Sequence, residues 1–136
     1  MNEAASSGRR DAPRRVLIAD DEESIRLLVR MSLELEGMGV VEAEDGQRAV
    51  ELALADPPDA VILDILMPSL DGWGVAEALR ANEATVDVPI IFLTALADAK
   101  NQRRADTVGG LFVAKPFNPF ELATIVRTAI SRRVSA

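Results

Sequence analysis

Four short apolar runs in this chain each end on a polar group. Val16-Leu17-Ile18-Ala19 leads into Asp20-Asp21 and Ala60-Val61-Ile62-Leu63 into Asp64. Ile90-Ile91-Phe92-Leu93 leads into Thr94 and Leu111-Phe112-Val113-Ala114 into Lys115. Runs of this length, apolar at nearly every position, suit strands covered on both faces. The segments between them carry helical spacing. The pattern predicts a strand over 15–20 and a helix over 22–36, with Ile25, Leu28, Val29 and Leu33 on one face and Gly37 as its C-terminal cap. A second strand, 39–44, is diluted by Glu42 and Glu44 and reads as an edge strand. A helix over 46–55 is stopped by Pro57-Pro58, and a strand follows over 59–64. Asp71 caps a helix over 71–82 with Val75 and Leu79 inward, and a strand occupies 88–94. The helix expected over 97–107 has almost no apolar stripe, so its local stability is expected to be low. After a strand over 111–115, Asn118, Pro119 and Glu121 mark the start of the last helix, whose buried face is Leu122, Ile125, Val126 and Ala129.

The order is (βα)₅. Such alternation predicts an α/β fold, a doubly wound five-stranded parallel sheet with helices on both faces. If the strands are parallel, Asp20, Asp21, Asp64, Thr94 and Lys115 meet at one sheet edge, where open α/β sheets bind ligands.

Length and composition fit a single soluble domain: 136 residues, 49% hydrophobic and 27% charged. Residues 1–14 show no periodicity and read as a disordered tail, with 15–133 as the folded domain and 134–136 as a short C-terminal tail. Arginines 9, 10, 14 and 15 read as solvated rather than as a docking site for an acidic partner. No run nears the roughly 18 apolar residues of a membrane span, and no signal-peptide core precedes the domain, so a cytoplasmic protein without membrane contact is expected. The net charge of −7 argues against direct nucleic-acid binding. With no Cys and no His, thiolate chemistry, His-based catalysis and His-ligated zinc are excluded.

Carboxylates, Lys and a hydroxyl remain. Three carboxylates in one place repel each other unless a cation compensates them, and a hard ion such as Mg²⁺ (or Mn²⁺) takes oxygen ligands. A lysine and a threonine beside them complete a pocket for a metal ion and a dianionic phosphoryl group. One carboxylate then serves as nucleophile. Asp64, alone at its strand end, fits that part, and Asp20 and Asp21 fit the metal.

The acidic pair in LIADDEE, the acceptor in VILDILMPSLDGW, the hydroxyl in PIIFLTA and the lysine in FVAKPF appear in order, each at a strand end. With these four elements the chain resembles the receiver domain of bacterial two-component response regulators over about residues 15–132. The resemblance implies a flavodoxin-like sheet of order 2-1-3-4-5. It implies Asp64 as phosphoacceptor, Asp21 as a direct Mg²⁺ ligand, Asp20 as a ligand through water, and the Leu66 backbone carbonyl as a further ligand. Lys115 would pair with the phosphoryl oxygens. Thr94 would swing in to bond one of them, helped by the Ala95 backbone N–H. Phe112 stands where the family keeps a switching aromatic, and the Lys115-Pro116 bond is expected to be cis. Residues at Leu66 and Leu96 would set how fast the acyl phosphate hydrolyses; two leucines there imply a slow-decaying state.

A single-domain regulator of this kind is not an enzyme on other molecules. Its partners would be a histidine kinase or a histidine phosphotransfer protein and a downstream protein, and it would work as a monomer or a phosphorylation-dependent dimer. The face of the fourth helix, fifth strand and fifth helix would switch. Two departures stand out: the loop before the last strand, Val108-Gly109-Gly110-Leu111, is short and lacks the family's acidic residues. The register of Phe112 is counted back from Lys115. A phosphorylation-independent adaptor with the same fold is the alternative. A haloacid-dehalogenase-type phosphatase would need an Asp where Leu66 stands. Gly72-Trp73-Gly74 only half-matches a dinucleotide fingerprint, and no P-loop sequence occurs. Trp73 reads as packing against its loop rather than as a partner contact.

Overall fold

The computed structural model describes residues 14–135. The expected N-terminal tail lies outside them except for Arg14. Five strands and five helices alternate: β1 (Arg15–Ala19), α1 (Glu23–Leu35), β2 (Gly39–Ala43), α2 (Gly46–Ala55), β3 (Ala60–Leu63), α3 (Gly72–Arg80), β4 (Ile90–Thr94), α4 (Ala99–Thr107), β5 (Leu111–Ala114) and α5 (Pro119–Ser135). The helix α5 thus runs into the segment 134–136 read as a tail. Arg15 belongs to β1 and pairs with Asp56 at 2.6 Å, while Arg14 lies 4.0 Å from Asp59. These two arginines are therefore part of the domain.

The sheet is parallel throughout, in the order β2-β1-β3-β4-β5. β1 and β3 are in register Leu17 to Val61 and Ala19 to Leu63, and both are buried along their length apart from Arg15. Alternate residues feed opposite cores. Leu17, Val61, Leu63, Ile90 and Phe92 pack against α2, α3 and Ala105 of α4. Val16, Ile18, Ile62, Ile91 and Leu93 pack against α1 and α5. Each such side chain contributes about 1.5–3 kcal/mol on leaving water.

Two expectations change here. Leu28 stays 40% exposed because α1 presents Val29, Ser32 and Leu33 to the core. β5 is not covered on both faces. It is the second edge, with Leu111 and Ala114 exposed and Phe112 and Val113 half-buried.

The helix caps follow their sequence signals. Gly37 takes a left-handed conformation (φ 83°) after α1. The Asp71 carboxylate accepts the Gly74 N–H at 2.8 Å, and Asn118 Oδ1 accepts the N–H groups of Phe120 and Glu121 at 2.8 and 3.2 Å. Ala105 is the buried residue of α4, in keeping with its polar sequence. Trp73 reaches beyond its own loop, in one cluster with Ile65 and Phe92. It lies 5% exposed in the core, its ring 4.6 Å from Phe92 and tilted at 44°, with the Arg104 guanidinium of α4 4.6 Å above it.

Candidate functional site

The chain reverses direction across the sheet between β1 and β3, and the crevice of such a fold opens at the strand ends beside that point. Asp20 follows β1, Asp64 follows β3, Thr94 ends β4 and Lys115 follows β5. All four strand-end groups are thereby delivered to one rim. Oxygens from Asp20, Asp21 and Asp64 lie within 4.8 Å of one another. Asp20 and Asp64 are buried and Asp21 is exposed.

Lys115 joins the carboxylates. Its Nζ donates to Asp20 Oδ2 at 2.8 Å and to Asp64 Oδ2 at 3.1 Å, with Glu22 Oε1 at 3.3 Å. Burial pushes the Asp20 carboxyl above its ordinary pKa, against the opposing pull of Lys115 and the Glu22 N–H. Burial alone would lower the Lys115 ammonium, but the hydrogen bonds and charges of Asp20 and Asp64 outweigh it and raise its pKa. Lys115 is thus a fixed cation within this site.

The other Asp20 oxygen accepts the Glu22 N–H at 2.9 Å, and the other Asp64 oxygen has the Leu66 N–H at 3.3 Å. The Asp64 contact is long and leaves that oxygen the freer of the two. Thr94 is buried, and its hydroxyl oxygen accepts the Leu96 N–H at 3.2 Å. Ala95 follows it at the surface. Leu66 and Leu96 flank the rim, 61% and 36% exposed. Phe112 packs on the edge of the core beside α4, and the Lys115-Pro116 bond is cis.

The structure adds three residues that the sequence pattern did not assign to this site. Glu22 is the third carboxylate on Lys115, and its place in the acidic run was the available signal. Arg26 donates to the Asp20 backbone carbonyl at 2.7 Å. Gly72 carries its N–H to the Ile65 carbonyl at 2.8 Å, and a Cβ built on it would lie 2.4 Å from the Asp64 carbonyl oxygen.

The sequence profile of the response regulator receiver domain matches residues 16–127. The chain belongs to this family. A probable transcriptional regulator ycf27 of Guillardia theta is 45% identical over 124 residues, which cover 87% of this chain and 46% of that protein. The phosphate regulon regulatory protein PhoB of Pseudomonas aeruginosa is 36% identical over 118 residues, 86% of this chain and 52% of its own. The chain spans about half the length of the curated relatives it matches. Among solved structures, the chemotaxis protein CheY4 of Vibrio cholerae superposes with a TM-score of 0.81 at 31% identity, covering 87% of this chain and 99% of that one. The receiver domain of the sensor histidine kinase PA1611 of Pseudomonas aeruginosa has a TM-score of 0.80 at 31% identity, covering 88% and 99%, and holds a magnesium ion in its active-site cleft.

The acidic pocket of this receiver domain fits a divalent cation on its own chemistry. Three carboxylate oxygens converge, one of their side chains is fully buried, and the acidity is only partly offset by Lys115. Among the described residues no helix is long and apolar enough to cross a membrane.

Proposed function

We propose that this receiver domain accepts a phosphoryl group onto Asp64 from a phosphohistidine of a sensor kinase or a phosphotransfer protein, in a Mg²⁺-dependent reaction. The observation that carries the reading is the Asp64 carboxylate at the β3 end. It has one oxygen on Lys115 and lies within metal-sharing distance of Asp20 and Asp21. An Asp64 oxygen forms the new bond to phosphorus as the bond from phosphorus to the donor imidazole nitrogen breaks, and the electron pair stays on that nitrogen. The chain itself has no His, so the donor ring lies outside this sequence.

Asp20, Asp21, Asp64 and the Leu66 carbonyl would hold Mg²⁺, which neutralises charge on the transferring group. Lys115 sits where it can follow Asp64 Oδ2 to a phosphoryl oxygen. The Thr94 hydroxyl and the Ala95 N–H then satisfy further phosphoryl oxygens. That rearrangement biases α4, whose sequence gives it few core contacts, and with it the face shared with β5 and α5, where Phe112 lies. On this reading the domain is a signalling switch that acts on no substrate other than its own acyl phosphate.

The first test is phosphoryl uptake from acetyl phosphate, followed by intact-protein mass. The unchanged chain is expected to gain one phosphoryl group with Mg²⁺ and none with excess chelator, and Asp64→Ala none in either. Uptake by Asp64→Ala at the unchanged rate, or no uptake by the unchanged chain, would refute the assignment.

The second concerns lifetime. The side chains of Leu66 and Leu96 offer no polar atom to orient an attacking water, so the phosphorylated form is expected to decay slowly. A Leu66→Asn, Leu96→Glu double variant is expected to release phosphate several-fold faster, measured on purified phosphorylated protein. Equal or slower release from the variant contradicts the expectation.

A further inference from the structure

Among the described residues, Arg26 is the one guanidinium that hydrogen-bonds the acidic rim from the body of a helix. It stands on α1 one turn beyond the acidic run, with its side chain 13% exposed. Its Nη1 donates to the Asp20 carbonyl oxygen at 2.7 Å, and its Nε donates to Glu42 Oε1 on β2 at 3.0 Å. Glu42 Oε2 in turn lies 2.8 Å from Arg30 Nε, and Arg30 bonds the Val40 carbonyl at 3.1 Å. The Asp20 backbone N–H meanwhile donates to the Ala43 carbonyl at 3.2 Å. Both polar groups of the Asp20 peptide backbone are thus tied toward β2, one directly and one through Arg26.

We propose that Arg26 is a positioning residue for the acidic pair: it fixes the turn that aims the Asp20 and Asp21 carboxylates, and so raises the affinity of the pocket for Mg²⁺. The inference rests on the metal reading of that pocket. Arg26 does not touch the acceptor oxygens; it acts through the Asp20 carbonyl. Its bonds are charge-assisted and largely withdrawn from water, which gives them weight in holding a turn. The Glu42 carboxylate balances its charge at contact distance, so the arginine orients the turn without adding an uncompensated cation beside the metal site.

Charge and orientation predict opposite signs, which makes the inference testable. A cation near the pocket repels Mg²⁺, so if Arg26 acted only by charge its removal would tighten binding. If it acts by orientation, removal weakens binding. Residues that orient metal ligands typically change affinity by about 10–100-fold when lost, and the low end, about tenfold, is expected for a contact made through the backbone.

The experiment is calorimetric titration with Mg²⁺ alone of the full chain, with thermal melts run beside it. Arg26→Met is expected to bind Mg²⁺ about tenfold more weakly, and Arg26→Lys, which keeps one donor, to fall between the two. Arg30→Met removes a neighbouring ion pair to the same Glu42 without touching Asp20, and is expected to bind Mg²⁺ as the unchanged chain does. Unchanged or tighter binding by Arg26→Met overturns the proposal. So does an equal loss in Arg26→Met and Arg30→Met, which would mean that general destabilisation of β2 is responsible. If the unchanged chain binds no Mg²⁺ at all, the metal reading falls and this proposal with it; that outcome is recognised before any variant is compared.

Discussion

Replacing Gly72 by alanine is expected to cost the fold about 3 kcal/mol, the upper end for forcing an added methyl into a packed site, and to slow phosphoryl uptake by Asp64. The added Cβ would stand 2.4 Å from the Asp64 carbonyl oxygen, 2.9 Å from Ile65 Cα and 3.1 Å from the Asp64 carbonyl carbon. All three atoms are backbone of the acceptor loop, so no side chain can turn aside to make room. Either α3 or the loop moves, and a displaced acceptor reacts more slowly. A misplacement near 1 Å can cost about 100-fold in rate. Gly74 is the internal control. Its Cβ would meet Leu70 Cδ1 at 2.4 Å and Cγ at 2.9 Å, atoms of one side chain that can turn aside where backbone cannot, and alanine favours the helix by up to about 1 kcal/mol. Thermal melting should therefore separate the two variants clearly, with Gly72→Ala lower by roughly 10 °C and Gly74→Ala near the unchanged chain. Equal melting and equal uptake for Gly72→Ala would show that the close approach does not constrain the site.

Lys115→Met is the second large effect, and its size should depend on metal. The ammonium lies on the buried Asp20 and Asp64 carboxylates at 2.8 and 3.1 Å, and its side chain is only 12% exposed. Removing one partner of such a group typically costs about 3–5 kcal/mol, because the remaining charges stay buried without compensation. In chelator the variant is expected to melt well below the unchanged chain. Added Mg²⁺ competes with no lysine in the variant, so it should stabilise Lys115→Met more than it stabilises the unchanged chain. Melting curves of both proteins, with and without Mg²⁺, give the comparison. An equal or smaller Mg²⁺-induced rise in the variant would mean that lysine and metal do not share these oxygens. Phosphoryl uptake by the variant should also be poor even when Mg²⁺ has restored its stability, since the cation that follows the transferred oxygens is gone.

The strands, their order and the strand-end groups were legible because each rests on a side chain. An apolar run of four or five residues that stops at a carboxylate, a threonine or a lysine states both the strand and what it delivers. Errors arose where coverage matters. Leu28 falls on the same predicted helix face as Leu33, and Leu111 opens an apolar run as Ile90 does, yet Leu28 and Leu111 lie partly in solvent. Periodicity says which residues share a face but not how much neighbouring structure lies over it. β5 is an edge strand, and the helix beside it offers little apolar surface. The role of Arg26 was illegible for a different reason. Its partner is a main-chain carbonyl, which every residue has and no letter of the sequence marks. Gly72 was hidden in the same way: in the sequence it stood only in a half-matched dinucleotide fingerprint, and what it presses against is main chain. Trp73 looked peripheral because it follows a turn, but its indole is large enough to reach Phe92 from the first turn of α3.

That indole has a practical meaning as well. The sequence contains one tryptophan and no tyrosine, so emission excited in the near ultraviolet comes from a single ring. The ring is wedged between β4 and the Arg104 guanidinium of α4, and its residue follows the glycine that presses on the Asp64 carbonyl. The chain therefore carries its own unlabelled optical probe at the joint between the acceptor loop and its most weakly anchored helix.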